Sequence, residues 1–487
     1  MPLRGELQIG LLGQNTTVQD RYLPDGTSQV LRDMFVAQLD PRLVPPLEVL
    51  DSLLSGFYPT LGLSEPDIST LGNLHFDALL ERTNAPISLN YGATDWLSAF
   101  AVIPLVRSQS FVVPQLDSLA SNAGLTGTAF GENPNNTFQE LSDGIAQMES
   151  IVQSGTLNPA DQAEAERLLA EAQAYELGLN ELAGQQYFPT DSGANGQQLT
   201  AFYEDLRSGF QSFGVSMPAV PLAAAMSFIE ASQAAEWSEA GIEQPQSRDT
   251  GIKFGDIELG ISLQPLNSFR QRPDRPRPKF ATRAKLDALY RLATGSVPAP
   301  YQIFDLGTGD GQPDVEFRAT LDVAYGRRFW VSLFGGYNIQ LEAEVGRLIT
   351  STVAPIQAGA YVADVRWNPG DILTLVAAPR FNVTQFITFS GLFMITRHGR
   401  DQFEAVDETP IVSPFVPDDL EEGTEWDARS LGFAARFSSM NWSGDRRSGM
   451  PIEVEFSYLH TVSGSKGYVP EQNIWQVGLR YFARIFR

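Results

Sequence analysis

The sequence contains no cysteine, which excludes disulfide bonds and thiolate metal sites. It has three histidines, too few to suggest a zinc centre of the usual kind. Basic residues number 34 against 58 acidic ones, and the net charge of −24 argues against nucleic acid as a partner, because phosphate binding needs a basic surface. No GxSxG, P-loop or HExxH motif occurs, so we expect neither an enzyme nor a bound cofactor.

Long hydrophobic runs are also missing. No stretch of about 18–20 apolar residues occurs, so the sequence predicts no membrane-spanning helix. The first residues, MPLRGELQIG, lack the charged start and apolar core of a secretory signal. Either the chain is cytosolic, or its numbering begins at a mature N-terminus.

What the sequence has instead is alternation. In IWQVGLRY, Trp475, Val477 and Leu479 share one parity, and Gln476 and Arg480 share the other. Successive side chains of a strand point to opposite faces, so the pattern predicts a strand with one apolar and one polar face. The same alternation recurs in GELQIGLL, ISLNYG, WLSAFAVI, GDIELGISLQ, TRAKLDALYRL, VEFRATLDVAY, FWVSLFGGYNIQ, DILTLVAAPRF, FITFSGLFMIT, SLGFAARFSS and IEVEFSYLHT.

The length of these segments favours a membrane barrel. Many run about 10–14 residues, roughly the length of a tilted strand that crosses a bilayer, whereas strands of soluble proteins average nearer five or six. Aromatic residues near the segment ends predict the girdles of such a barrel; they are Tyr91, Trp96, Tyr325, Trp330 and Trp475. A large soluble sandwich or propeller is the alternative, but no blade-length repeat is present.

The connections alternate between short and long, as turns and loops do on the two sides of an outer-membrane barrel. Segment 355–367 is also strand-like, and we place it in a long loop so that the number of strands stays even. We therefore predict an all-β membrane protein, an antiparallel transmembrane β-barrel of about twelve strands (twelve to fourteen) with a helical insertion.

The insertion differs in composition from the rest. NPADQAEAERLLAEAQAYELGLNELAG begins with Asn158 as a helix cap and Pro159 at the first helical position. TFQELSDGIAQMESIVQ, QQLTAFYEDLRSGFQSFG and PLAAAMSFIEASQAAEW predict further helices. Residues 111–250 hold 13 Glu and 6 Asp against 3 Arg, a net charge of −16.

These patterns divide the chain into three parts. Residues 1–107 hold the first three barrel strands and a long first loop. Residues 108–250 form an acidic α-helical extracellular insertion, which serves as a lid or an interaction subdomain. Residues 251–487 hold the remaining nine strands.

The alternate positions that form the polar face of the predicted strands carry charges of both signs. We expect these side chains to line the lumen. The candidates are Glu6, Asp256, Glu258, Arg283, Lys285, Asp287, Arg291, Glu316, Arg318, Asp322, Arg380, Arg436, Glu453, Glu455, Arg480 and Arg484. One interpretation is a constriction in which opposed charges filter solutes. The other is a network of cross-strand salt bridges that plugs and rigidifies a narrow barrel.

One acidic, glycine-rich segment has the composition of a metal-binding loop. DLGTGDGQPD carries Asp305, Asp310 and Asp314 but lacks the spacing of an EF-hand calcium loop, so we interpret it as a glycine-rich turn and expect no metal site.

Several phrases resemble a known family. LNYGATDWLSAFAVIPLV, FGDIELGISLQPL, YRLATGS and DLGTGDGQPDVEFRATLDVAYGRRFWVSLFGGY are similar to Gram-negative outer-membrane barrels associated with meta-pathway phenol degradation (MetA-like), which are distantly related in pattern to the long-chain fatty-acid transporters. The resemblance covers residues 79–106 and about 250–487, and the helical insertion lies outside it. It implies location in the bacterial outer membrane and passive passage of small, often hydrophobic molecules.

Two functions follow as hypotheses. The first is an outer-membrane channel or facilitator for small, possibly hydrophobic molecules that pass through a charged lumen. The second is a surface-exposed interaction or structural protein in which the barrel anchors the insertion. Expected partners are outer-membrane lipid and lipopolysaccharide, the barrel-insertion machinery and, for the second function, a surface partner bound through residues 108–250. The chain ends on Arg487 after Phe486, although such barrels usually end on an aromatic residue.

The two interpretations of the charged parity differ in one measurement. If the charges filter ions, neutralising Arg318 and Arg480 together should shift the cation-to-anion selectivity in planar bilayers, because charged groups in a lumen set the local ion concentration. Unchanged selectivity would exclude these two residues from a filter and favour the salt-bridge network.

Overall fold

The structure is a computed structural model, and it describes residue 2 and residues 4–130, 134–269, 279–326, 328–406, 412–439 and 451–484. In these ranges the alternating segments form twelve antiparallel strands that close into one barrel. The strands are β1 (Glu6–Tyr22), β2 (Ile87–Gly92), β3 (Leu97–Ile103), β4 (Ile257–Asn267), β5 (Phe280–Leu292), β6 (Asp314–Tyr325), β7 (Phe329–Gln340), β8 (Ile372–Asn382), β9 (Ile387–His398), β10 (Trp426–Ser438), β11 (Ile452–Ser465) and β12 (Val469–Arg484).

Closure depends on β1, which has a hydrogen-bonded neighbour on each side. It pairs with β12 from Glu6 opposite Arg484 to Tyr22 opposite Val469, with one register shift. On its other side, it pairs with β2 from Leu7 opposite Tyr91 onward. The prediction of a twelve-stranded antiparallel barrel with a helical insertion is confirmed.

Further strands accompany the twelve strands of the barrel. Asn73–Asn84 continues β2 along β1, because Gln14 pairs with Asn84 in the same register in which Leu11 pairs with Ile87. Others are Ser28–Val30, Val36–Gln38, Leu105–Asp117, Ala123–Leu125, Tyr187–Pro189, Arg248–Asp249 and Lys253–Phe254.

A separate antiparallel sheet consists of Ala343–Ile349, Tyr361–Asn368 and Gln402–Ala405. Its core contains Val345, Ile349, Val365 and Phe403. The strand-like segment 355–367 therefore lies outside the barrel, as predicted. Single turns of 3-10 helix occur at Leu31–Asp33, Ser118–Ala120, Trp237–Ala240 and Pro417–Glu421.

The outer face of the barrel is apolar. On β4, Leu259 and Ile261 are 48% and 51% exposed, whereas Ser262, which points to the opposite face, is buried. Comparable exposed side chains on other strands are Leu286, Tyr290, Phe317, Leu321, Leu333, Leu375, Phe393, Leu431, Phe433, Phe456, Val477 and Leu479. An apolar surface of this extent is unfavourable in water and matches the acyl chains of a bilayer. The strands therefore cross a membrane.

Aromatic rings gather at strand ends on this outer face. Phe280 and Tyr325, both exposed, lie with ring centroids 5.1 Å apart, which fits an interfacial girdle. Trp330 was predicted to belong to the girdle as well. It has the same parity as the buried Ser332, and its ring packs against Phe269 at 4.6 Å, so it lies on the inner face instead.

The helices belong to a second compact unit, which consists of Val36–Phe76 together with Pro114–Ala240. They are α1 (Pro46–Thr60), α2 (Thr126–Ala129), α3 (Pro134–Gln153), α4 (Pro159–Ala183), α5 (Ala194–Ser212) and α6 (Phe228–Ala234). None of the helices in the described ranges has the length and hydrophobicity that a membrane-spanning helix requires. Because α1 comes from the long first loop, a deletion limited to the insertion would remove the packing partners of α1.

Local sequence signals set two helix starts in this unit. The Asn158 side chain caps α4 by accepting hydrogen bonds from the N–H groups of Ala160 and Asp161, both at 3.0 Å. In PLAAAMSFIEASQAAEW only α6 is α-helical, since Ser227 and Glu230 form a capping box at its start. The cap at Asn158 confirms the predicted start of α4. Helix α6 is shorter than predicted.

The core of the helical unit joins α1 to α4 and α5. Gly178 on α4 leaves room for the ring of Phe57 on α1, because a Cβ at this glycine would lie 2.1 Å from that ring. The ring centroids of Phe57 and Tyr175 are 6.1 Å apart, and those of Tyr175 and Tyr203 are 4.8 Å apart. The Leu and Met stripe of α3 is also core, as Leu141 and Met148 are fully buried.

Two buried asparagines hold the two halves of this unit together. Asn195 accepts a hydrogen bond from the Asp67 N–H at 2.8 Å and donates one to the Asp67 carbonyl at 2.8 Å. Asn122 does the same for the next residues, accepting from the Thr70 N–H at 2.6 Å and donating to the Ile68 carbonyl at 2.8 Å. Each side-chain amide forms hydrogen bonds with one backbone N–H and one backbone C=O of residues 67–70, as a neighbouring strand would do.

We expect Asn195→Ala to destabilise the helical unit by roughly 2 kcal/mol, because the fully buried Asn195 amide makes both hydrogen bonds to the Asp67 backbone. Hydrogen exchange of peptides from 46–76, measured by mass spectrometry, should accelerate while the barrel peptides keep their rates. Asn180→Ala is the matched control, since Asn180 is exposed on α4 and bonds only within its own helix. Unchanged exchange in 46–76 would contradict the proposed role of Asn195.

Candidate functional site

A cluster of paired charges lies on the inner face of β4, β5 and β6. Arg291 stands opposite Glu258 on one neighbouring strand and opposite Asp314 on the other. Residues directly opposite in register project to the same face, so the pairing brings the three side chains together. Arg291 Nη2 lies 3.0 Å from Glu258 Oε1, and Nη1 lies 2.5 Å from Asp314 Oδ2.

Two more predicted residues complete this cluster. Arg318 Nε lies 2.6 Å from Glu316 Oε1, and its Nη2 lies 3.6 Å from Glu258 Oε2. Arg291 also reaches Glu316, at 3.4 Å. Asp314 is only 1% exposed. Burial of its carboxylate is tolerated because the group is paired and hydrogen-bonded with Arg291.

Other predicted residues form salt bridges elsewhere on the inner face. Arg283 Nη2 lies 2.6 Å from Asp322 Oδ2, and Ser332 donates a hydrogen bond to the other oxygen of that carboxylate. Lys285 Nζ lies 2.9 Å from Asp287 Oδ2 within one strand. Arg480 and Glu453 are further apart, at 3.6 Å.

Some predicted residues have no salt bridge within the described part of the chain. Arg436 and Glu455 are register neighbours on β10 and β11 but do not form one. Arg380 is a third case, and its Nε is buried without a hydrogen-bond partner there. Asp256 is held by backbone donors, since its Oδ1 accepts from the N–H groups of Thr294 and Gly295 at 2.9 and 2.8 Å.

The last two predicted inner-face residues, Glu6 and Arg484, lie where β1 pairs with β12. Glu6 is buried and pairs in register with Arg484. The side chain of Arg484, like residues 485–487 with the terminal Phe486 and Arg487, lies outside what the structure describes.

A row of buried polar atoms crosses three adjacent strands. Ser98 on β3 is opposite Ser262 on β4, and Ser262 is opposite Asp287 on β5. The Oγ atoms of both serines and Oδ1 of Asp287 are buried and lack a hydrogen-bond partner among the described residues. Buried polar groups of this kind are normally satisfied by ordered water. We therefore expect ordered water along this row.

Beside the Arg291 cluster lies a cavity of about 420 Å³. Its lining is Arg82, Asn84, Pro104, Val106, Gly255, Asp256, Glu258, Arg291, Pro298, Leu306, Thr308, Gly309, Asp310 and Arg347. The sequence analysis predicted Asp256, Glu258 and Arg291 for the inner face. It missed Arg347, which comes from a segment assigned to a long loop, and Arg82, which lies between the long first loop and the strand ISLNYG. For Arg82 the available signal was the alternation of NLHFDALLERTN directly before ISLNYG.

One wall of this cavity is the segment DLGTGDGQPD. Gly307 and Gly311 adopt φ values of +58° and +87°, so the segment contains glycine-specific turns, in line with the sequence interpretation. Gly309 also has a packing reason, because a Cβ there would lie 2.5 Å from the Asp256 carboxylate. The turn brings Thr308 and Asp310 to the cavity.

Neither a protein-family model nor a curated protein sequence matches the chain. Among solved structures, the chain is similar to an outer membrane channel from Pseudomonas putida F1, at 11% identity and a TM-score of 0.43, over 99% of this chain and 96% of that chain. A FadL homologue of Pseudomonas aeruginosa is similar at 10% identity and a TM-score of 0.28, over 98% of this chain and 90% of the other.

The toluene transporter of Pseudomonas putida is similar at 11% identity and a TM-score of 0.26, over 98% of this chain and 89% of that one. These TM-scores lie below 0.5, so the three similarities assign no transported solute to this chain. The resemblance to the phenol-degradation family stays a prediction.

We expect Arg291→Met to destabilise the barrel by about 3 kcal/mol or more, because it leaves the carboxylates of Glu258 and Asp314 without their main cation. A urea titration of the barrel in lipid vesicles, followed by tryptophan fluorescence, measures the change. Arg397→Met is the control: Arg397 is an exposed residue of β9 whose ion pair with Asp427 spans 3.4 Å, and its loss should cost less than about 1 kcal/mol. Equal effects of the two changes would contradict the structural role of the cluster.

Proposed function

We propose that the protein is an outer-membrane channel or facilitator for small molecules, and that the solute passes along the charged inner face of the barrel. The observation that carries this proposal is the contrast between the two faces. The outer face presents leucine and phenylalanine to lipid, while the inner face holds charges, a cavity of about 420 Å³ and buried oxygens that need water. A barrel that served only as an anchor would need none of these interior features.

The pairing of the charges favours a structural role for most of them. Arg291, Arg318 and Arg283 each contact a carboxylate, so most of their charge is compensated locally. Within the proposed channel, these pairs stiffen the wall and keep it polar. Arg380 and Arg436 have no salt bridge in the described ranges, so their charges are among those that remain available to act on a passing solute.

A second, smaller cavity lies near β11 and β12. Its volume is about 30 Å³, and its lining includes Leu12, Glu453, Glu455 and Arg480. Three of the predicted inner-face residues therefore surround one cavity.

We expect Ser262→Phe to lower solute flux severalfold, because the ring would displace water from the row that joins Ser98 to Asp287. Purified protein in planar bilayers gives the conductance, and liposome swelling gives the uptake of uncharged solutes. Leu263→Phe is the matched control, since this neighbour points outward to lipid and should leave flux unchanged. Heat-dependent mobility in gels verifies that both variants form barrels.

If the unaltered protein shows neither conductance nor solute uptake, the channel proposal fails. The surface-anchor hypothesis, in which the helical unit binds a partner, would then take its place. Equal flux through the Ser262→Phe and Leu263→Phe variants would contradict a path along β3, β4 and β5.

A further inference from the structure

Two arginines at the 420 Å³ cavity have no salt bridge with any residue in the described ranges. Arg82 donates one hydrogen bond from Nη2 to the carbonyl oxygen of Thr308 at 3.0 Å. The guanidinium of Arg347 lies over the ring of Trp367, with its Cζ 4.3 Å from the ring centroid. Both cations therefore keep donors that no described carboxylate occupies.

The position of Arg347 is fixed by the separate sheet. Trp367 donates a hydrogen bond from Nε1 to Asp401 Oδ2 at 3.1 Å, and its ring stacks on Phe403 at 5.9 Å with an interplanar angle of 4°. A guanidinium held on a fixed indole ring loses little conformational freedom when it binds an anion. Arg347 is thus preorganised toward the cavity.

The cavity also holds the carboxylates of Asp256, Glu258 and Asp310, but they leave the two arginines available. Glu258 is paired with Arg291. Asp256 accepts two backbone hydrogen bonds, and Asp310 accepts one from the Gln312 N–H at 3.2 Å. Neither aspartate lies within 4.0 Å of Arg82 or Arg347. Asp256 and Asp310 act electrostatically on Arg82, and Asp401 and Asp310 act on Arg347. Burial lowers the pKa of Arg347 from its ordinary value, which means that its charge is poorly solvated. An anion beside it would replace that solvation.

Part of the lining is apolar, beside the polar side chains of Asn84 and Thr308. Pro104, Val106, Pro298 and Leu306 contribute hydrocarbon surface to the same cavity. A volume of 420 Å³ falls within the usual range for small-molecule sites, about 300–1,000 Å³. The combination of two available guanidiniums with this apolar patch suits a solute that has one ionised acid group and a small hydrophobic body.

We propose that this cavity binds a small organic carboxylate, whose ionised group lies between Arg82 and Arg347 and whose apolar part contacts Pro104, Val106 and Leu306. This inference rests on the proposed function, for which it names the class of solute. Guanidinium groups bind carboxylates through paired, charge-assisted hydrogen bonds, so both arginines should contribute to affinity.

The test is isothermal titration calorimetry of the full-length protein in detergent, with benzoate as the probe. Benzamide, which has the same ring without the charge, and sulfate, which has charge without a ring, are the comparison ligands. We expect benzoate to bind at least about tenfold more tightly than either one. The double variant R82Q/R347Q should weaken benzoate binding by about tenfold or more, which corresponds to the loss of one strong contact.

Matched variants separate binding from folding. Arg366→Gln lies in the same sheet as Arg347, but Arg366 faces three exposed glutamates, so benzoate binding should stay unchanged. The R82K/R347K variant keeps both charges and should retain intermediate affinity. Tighter binding of sulfate than of benzoate would overturn the organic character of the ligand. Full benzoate affinity in R82Q/R347Q would overturn the site itself.

The inference and the proposed function can fail separately. Conductance without benzoate binding would leave the channel in place and reject the carboxylate site. Benzoate binding that depends on Arg82 and Arg347, in a protein without measurable flux, would support the site and reject the channel.

Discussion

A β-sheet in a bilayer has no water to satisfy its edge, so every backbone N–H and C=O must find a partner inside the sheet. In this protein, β1 meets that requirement by pairing with β2 on one side and β12 on the other. The pairing with β12 joins the two ends of the sequence, from Glu6 to Arg484, and the other strands follow in chain order between them. Closure also separates two environments, since every strand then has one face toward lipid and one toward the interior.

The charged interior follows from the same register. Once Glu258, Arg291 and Asp314 are opposite one another on adjacent strands, the pleat sends all three side chains inward, where they pair. Pairing explains how a chain with a net charge of −24 keeps basic residues in its interior. It also distinguishes the residues that stiffen the wall from those, such as Arg82 and Arg347, whose charge is left for a solute.

The helical unit is organised by a different device. Its two halves are far apart in sequence, and neither would bury its apolar side chains alone. Phe57 of the first half packs on Gly178 of the second, and Asn122 and Asn195 supply backbone partners to residues 67–70. Val36–Phe76 of the long first loop and Pro114–Ala240 of the insertion therefore form one compact unit.

The sequence by itself determined the barrel, because a period of two residues over lipid-crossing lengths is a local pattern that needs no knowledge of neighbours. It likewise determined the helix cap at Asn158 and the inward parity of Arg291, while its placement of Trp330 in the outer girdle was wrong. Only the tertiary structure decided which charges are paired, that α1 joins the insertion, and that Arg82 and Arg347 share a cavity. The physical reason is that these relations depend on register and on contacts between distant segments, and alternation within one segment carries no information about either.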